Sequence, residues 1–159
     1  MVRRLAGSDF EKGEGWVGNR ISGGTNRDYN NILTPYVYAS GPDAEFYYAI
    51  AGRSQYSHPF TVKIGSSVII NSSFIGYDAL KTSTMINPGI LAANNTINFA
   101  AGTTSQGQSI SLSYFEIEYP RQFNFDGKST FYFKIDGDPV NKKYFEITNF
   151  NNKSTTPVL

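Results

Sequence analysis

The chain predicts an all-β domain, an antiparallel β-sandwich of jelly-roll type. Three observations lead there. Apolar residues recur with period two in short runs, and no stretch sustains the 3.6-residue period of a long helix. Turn formers punctuate the chain about every ten residues, the spacing of sandwiches and barrels. Aromatics reach 15% while charged residues are only 17%, a balance that suits pleated, half-buried surfaces rather than helix exteriors.

The organising stretch is Ser109–Phe125, SISLSYFEIEYPRQFNF. Ile110, Leu112, Tyr114, Glu116 and Glu118 alternate with Ser111, Ser113, Phe115, Ile117 and Tyr119. The apolar set changes faces near Tyr114–Phe115, which predicts a bulge or a strand that swaps its buried side. Pro120 ends the strand because it has no N–H for the ladder. Asp126–Gly127 is a turn, and Thr130–Ile135 is the next strand.

From the start, residues 1–12 form a lead-in and 13–159 the sandwich domain. Gly7–Val17 is a Gly-punctuated entry holding Trp16, the single Trp, expected in the core or plugging an edge. Ile21–Asn31 reads as a polar loop, Ile32–Tyr38 as a strand whose Pro35 marks an edge or bulge. Ala44–Ala51 is short and aromatic, hence a strand rather than a helix, and Gly52–His58 a loop. Phe60–Ile64, Gly65–Ser66 and Ser67–Asn71 make a hairpin, with Phe60, Val62 and Ile64 on one face. Ser72–Thr84 is ambiguous, Tyr77–Lys81 being able to form one helical turn. Thr84–Ile86 is a short strand before the turn Asn87–Gly89, and Asn95–Ala100 another. Gly102–Gln108 is a polar loop, Asp136–Pro139 a turn and Lys143–Thr148 a last strand. Nine or ten strands result, in two sheets about 10 Å apart.

Net charge is +1, so neither nucleic acid nor an anionic membrane is implied as partner. The absence of Cys excludes a disulfide, a thiolate metal site and a Cys nucleophile within this chain. Met1–Leu5 leads into Ala6–Ser8 rather than an apolar run, so no secretory leader is expected here, and no run is long enough to span a bilayer.

Few residues could carry chemistry. His58, the only His, precedes Pro59 and reads as a solvated or capping residue; without a second base no nucleophile triad can be assembled. Glu116 and Glu118 share a strand face, and paired carboxyls about 5–9.5 Å apart serve glycosidases; the same pair suits any solvated face. Asp136, Asp138 and Asn141 offer oxygen ligands, yet the calcium-loop spacing with its terminal Glu is missing. Gly23–Gly24 lacks the Lys-Ser/Thr of a phosphate loop. Asn-x-Ser/Thr occurs at Asn71, Asn94 and Asn152, as expected by chance in so Asn-rich a chain. Trp16, Tyr47, Tyr48 and Tyr56 could stack on sugar rings. No catalytic, metal or cofactor residue is assigned.

Gly13–Gly18 (GEGWVG), Phe60–Ile64, Ser113–Arg121 (SYFEIEYPR), Lys143–Asn149 (KYFEITN) and Thr156–Leu159 (TPVL) occur in an order that resembles one family. It is similar to the non-catalytic β-sandwich region upstream of the peptidase domain in gingipain-like cysteine peptidases of Bacteroidetes, of which the type IX secretion sortase is the type it resembles. The resemblance implies an exported domain at the outer membrane or cell surface, excised from a longer protein. It also implies that this chain is not itself an enzyme, and that its partners are a downstream catalytic domain and protein substrates. The family's His and Cys belong to that downstream domain, and His58 matches neither. Recognition would run through loops such as Ile21–Asn31 and Gly102–Gln108. The alternatives are a jelly-roll carbohydrate-binding module and a structural, adhesin-like surface domain.

Overall fold

A computed structural model of the chain describes residues 17–104, 106–133, 140 and 144–154. The chain divides into two compact units, Met1–Pro120 and Arg121–Leu159. Among the described residues the first holds eight strands, β1 (Arg20–Ser22), β2 (Asn26–Leu33), β3 (Ala44–Gly52), β4 (Ser57–Ile64), β5 (Ser67–Ile75), β6 (Ala79–Ile86), β7 (Asn94–Ala101) and β8 (Ser109–Glu118). They form two four-stranded sheets, ordered β1-β8-β3-β6 and β2-β7-β4-β5, with every pairing antiparallel. Consecutive strands alternate between the sheets except at β4–β5, the connectivity of a jelly roll.

The core follows from the alternation. Phe46, Tyr48 and Ile50 of β3 and Ile110 and Leu112 of β8 point inward from one sheet; Phe60, Val62 and Ile64 of β4 and Ile97 and Phe99 of β7 point inward from the other. Four rings bridge the sheets. Phe46 stacks on Phe115 at 5.9 Å, Phe99 lies 5.9 Å from Phe115, and Tyr29 meets Phe99 and Phe115 edge-on at 5.9 and 5.7 Å. Each such contact adds roughly 0.5–1.5 kcal/mol beyond the buried area.

The face switch in β8 has a physical cause. Ala49 pairs with Tyr114 while Ile50 pairs with Leu112, leaving Ser113 as the extra residue of a bulge. Phe115 and Ile117 therefore turn inward, and Tyr114, Glu116 and Glu118 turn out. The Phe60–Asn71 hairpin also forms as expected, turning at Gly65 (φ +56°), although Ile69 is bulged opposite Val62–Lys63.

Several expectations are corrected. Ile21–Asn31 is not a loop: it supplies β1 and most of β2, joined at Gly23–Gly24. β2 ends at Leu33, not Tyr38, once Asn31 has taken φ 60° in a bulge opposite Thr96. Ser57 and His58 belong to β4 rather than to a loop. Tyr77–Lys81 makes no helical turn; Ala79 opens β6, which is far longer than Thr84–Ile86. Pro120 does stop the long strand: β8 ends at Glu118. Nine or ten strands become eight among the described residues.

Within the second unit, the described parts of Thr130–Ile135 and Lys143–Thr148 are not strands; one isolated bridge joins Asn124 to Thr148. This unit is held by rings instead. Phe125 stacks on Phe131 at 4.8 Å, Phe123 meets Phe133 and Phe145 at 5.1 and 5.3 Å, and the Arg121 guanidinium lies 4.6 Å from the Phe131 centroid.

Candidate functional site

The residues that could meet a ligand lie on the outer face of the β1-β8-β3-β6 sheet. Alternation on β3 that sends Phe46, Tyr48 and Ile50 inward sends Glu45, Tyr47 and Ala49 outward. Pairing with β8 and β6 then sets three cross-strand rows: Glu118–Glu45–Met85, Glu116–Tyr47–Ser83 and Tyr114–Ala49–Lys81. In the third row a small residue lies between two long ones. Ala49 faces outward yet is only 7% exposed, because the side chains of Tyr114 and Lys81 reach across it; the Lys81 ammonium stands 5.7 Å from the Tyr114 ring centre.

Glu45 is fixed. Its Oε2 accepts from the Tyr47 hydroxyl at 2.5 Å and its Oε1 from the Ser83 hydroxyl at 2.6 Å. Those two bonds, Ser83's first, hold the Glu45 carboxyl below the usual carboxylate range. The same bond favours the neutral phenol, so the Tyr47 hydroxyl is pushed up to about 12, with partial burial and the charges of Glu45, Glu118 and Glu116 adding to the effect. With its hydroxyl engaged on Glu45, what Tyr47 leaves available is mainly its ring.

The sequence candidates are thus divided. Tyr47, Glu116 and Glu118 come together on this face, joined by Tyr114 and Glu45. Tyr48 points into the core and Tyr56 is half-buried in the β3–β4 connection. The Tyr48 phenol is pushed above its ordinary value by burial.

His58 is neither solvated nor a cap. It is fully buried, its Nε2 donating to the carbonyls of Ser54 and Gly76, each at 3.0 Å, and its ring lies 5.2 Å from that of Phe74. Its Nδ1 has no partner among the described residues. A ring so enclosed cannot serve as a base for an external substrate. Trp16, Asp136, Asp138 and Asn141 lie outside the described residues. Gly23–Gly24 is the β1–β2 turn, the Gly24 amide donating to the Ala101 carbonyl. Gln108 closes the Gly102–Gln108 loop from within, donating to the Gly102 carbonyl and accepting from Thr104. No group of three or more acidic or His side chains suited to a metal occurs among the described residues.

The opposite sheet presents a different outer surface. Asn98 donates to Asn26 and Asp28, and Thr96 to Asn30, in a polar ladder. In the second unit, Phe125, Phe131, Phe133, Phe145, Ile147 and Phe150, with Ser129 and Thr130, line an open cavity of about 480 Å³.

No protein-family model and no curated protein matches the sequence. Solved structures do. A CBM36-1 domain of a multidomain xylanase from the hindgut metagenome of Trinervitermes trinervoides is 17% identical over 67% of this chain and 88% of its own, with a TM-score of 0.48. A carbohydrate-binding module CBM36, solved in complex with calcium and xylotriose, is 10% identical over 65% and 92%, with a TM-score of 0.45. The dimeric latent PorU of Porphyromonas gingivalis is 16% identical over 70% of this chain but only 11% of PorU, with a TM-score of 0.53. The likeness to PorU shows a shared sandwich fold.

Proposed function

We propose that the sandwich is a non-catalytic carbohydrate-binding module and that the outer face of the β1-β8-β3-β6 sheet is its binding surface. One observation carries this reading: two tyrosines, Tyr47 and Tyr114, lie beside the outward carboxylates of Glu45, Glu116 and Glu118. Sugar rings have apolar C–H faces that pack on aromatic rings, and hydroxyls that donate to carboxylates. The arrangement joins both on a surface held rigid by β3, which is paired along its length on both sides. Glu116 and Glu118 lie on an open sheet face rather than in a water-excluding cleft, which argues for binding rather than hydrolysis.

The test is calorimetric titration with neutral oligosaccharides of glucose, xylose and mannose. Binding that weakens at least tenfold in Tyr114→Ala, with an unchanged circular-dichroism spectrum, supports the reading. Flat titrations across the panel sink it.

A second reading has its own support. The segment SYFEIEYPR, which resembles gingipain-like cysteine peptidases, coincides with most of β8, and PorU carries the same sandwich. Under it, this chain is an exported accessory domain that braces a downstream peptidase domain or presents substrates to it. A reading frame that continues past Leu159 into a domain bearing His and Cys supports this; an immediate stop codon removes it.

A further inference from the structure

Resting on the carbohydrate reading, the rows of the outer face point to the charge of the ligand. We infer that Glu116 and Glu118 are specificity determinants: they accept hydroxyls from a neutral glycan and turn away sugars that carry a carboxylate or sulfate.

Tyr47 pairs directly with Glu116, and Tyr114 lies two residues before Glu116 on the same strand. A sugar seated on Tyr47 therefore lies within roughly 7–8 Å of all three carboxylates, and one seated on Tyr114 within roughly 7 Å of Glu116. Glu45 already accepts two hydrogen bonds, and Tyr47 and Ser83 hold it in place; it adds fixed negative charge to the same rows. Glu118 stands directly across from Glu45, a like-charge pair that works against the fold. Lys81 is the one cation of the three rows, and it is turned onto Tyr114.

Two arginines lie farther along the sheet. Arg20 pairs with Ser111, and the Arg53 guanidinium donates to the Ser111 hydroxyl at 3.0 Å. Ser111 is five residues from Glu116, roughly 16 Å along the strand, about twice the distance from a seated sugar to the nearest carboxylates, so each arginine acts on it about half as strongly. A short ligand on the tyrosines is thus governed by the acidic end. Unit charges about 7 Å apart in water repel enough to weaken binding roughly threefold per pair; with Lys81 offsetting one of the three carboxylates, an anionic sugar is weakened roughly tenfold.

Trisaccharides, short enough to stay centred on the tyrosines, test this. The chain and a Glu116→Gln/Glu118→Gln variant are titrated with mannotriose, xylotriose and trigalacturonate at low salt. Gln keeps an oxygen acceptor and loses the charge. The expected result is binding of a neutral trisaccharide, trigalacturonate weaker by tenfold or more, and a gap that shrinks severalfold in the variant. Equal binding of neutral and acidic trisaccharides, or a gap the variant leaves unchanged, overturns the inference while the glycan-binding reading stands. Failure of every trisaccharide to bind overturns both.

Discussion

Gly52→Ala offers a sharp test of how the sandwich is built around its single histidine. A Cβ at Gly52 would lie 2.0 Å from the Gly76 carbonyl oxygen and 2.7 Å from both Cδ2 and Nε2 of His58. Two of these atoms are bonded to each other: His58 Nε2 donates to that carbonyl at 3.0 Å. The backbone at Gly52 is tied as well, its amide donating to the Asp78 carbonyl at 2.9 Å. Relief therefore requires a shift of more than an ångström in buried backbone. Overpacking of this kind costs about 1–3 kcal/mol, and a lost hydrogen bond to a buried group adds about 1–3 kcal/mol. We expect a loss of about 3–4 kcal/mol, a large share of the ~5–15 kcal/mol typical of a domain. Melting should fall by roughly 15 °C. Urea titration followed by circular dichroism reads the change as a lower midpoint at constant slope. Adding His58→Ala to Gly52→Ala removes two of the three close contacts, so the double variant should be more stable than the sum of the single losses implies, by at least ~1 kcal/mol. A Gly52→Ala loss under ~1 kcal/mol, or strict additivity with His58→Ala, refutes this account of the buried histidine.

Other expectations follow from the same contacts. Tyr47 titrates at about 12 in the folded chain against an ordinary 10.0. Because the folded value is raised, the stability it contributes is complete below pH 10.0 and is lost as pH rises through about 12. The tyrosinate absorbance difference between wild type and Tyr47→Phe should have its midpoint there, and Glu45→Gln should bring it down; a midpoint at the ordinary value with Glu45 intact contradicts the hydrogen bond. The Glu45 carboxyl is shifted the other way, so its contribution is present above the ordinary carboxylate range and fades as pH falls through the lowered value. Phe99→Ala removes a fully buried ring in contact with Tyr29, Phe46 and Phe115 and should cost about 3–5 kcal/mol by urea titration.

Period-two patterning made much of the fold legible. The apolar switch in SISLSYFEIE located the β8 bulge to within a residue or two, and the Phe60–Asn71 hairpin was readable from its alternation and its Gly-Ser turn. β2 was hidden because it is an edge strand: Asn26, Asp28 and Asn30 face solvent, and few apolar residues mark its inner side. β6 was obscured for a related reason: it too is an edge strand, and where Leu80 and Ile86 continue the apolar row, Thr82 (exposed) and Thr84 (half-buried) interrupt it. His58 was misplaced because what buries it comes from other segments, the carbonyls of Ser54 and Gly76 and the ring of Phe74.

Composition and periodicity alone were enough for the all-β class, the alternation within most strands, and the shared face of Glu116 and Glu118. They also required that Tyr47 and Tyr48, as neighbours on a strand, point to opposite sides. Which of the two faces solvent, and that Glu116, Tyr47 and Ser83 form one row, followed only from the packed sheets. Strand pairing joins residues far apart in the chain, here β3 to β8 and to β6, and their register is set by core packing and bulges rather than by any local pattern. The face that could bind a ligand is therefore a property of three strands packed together, and no one of them carries its signature alone.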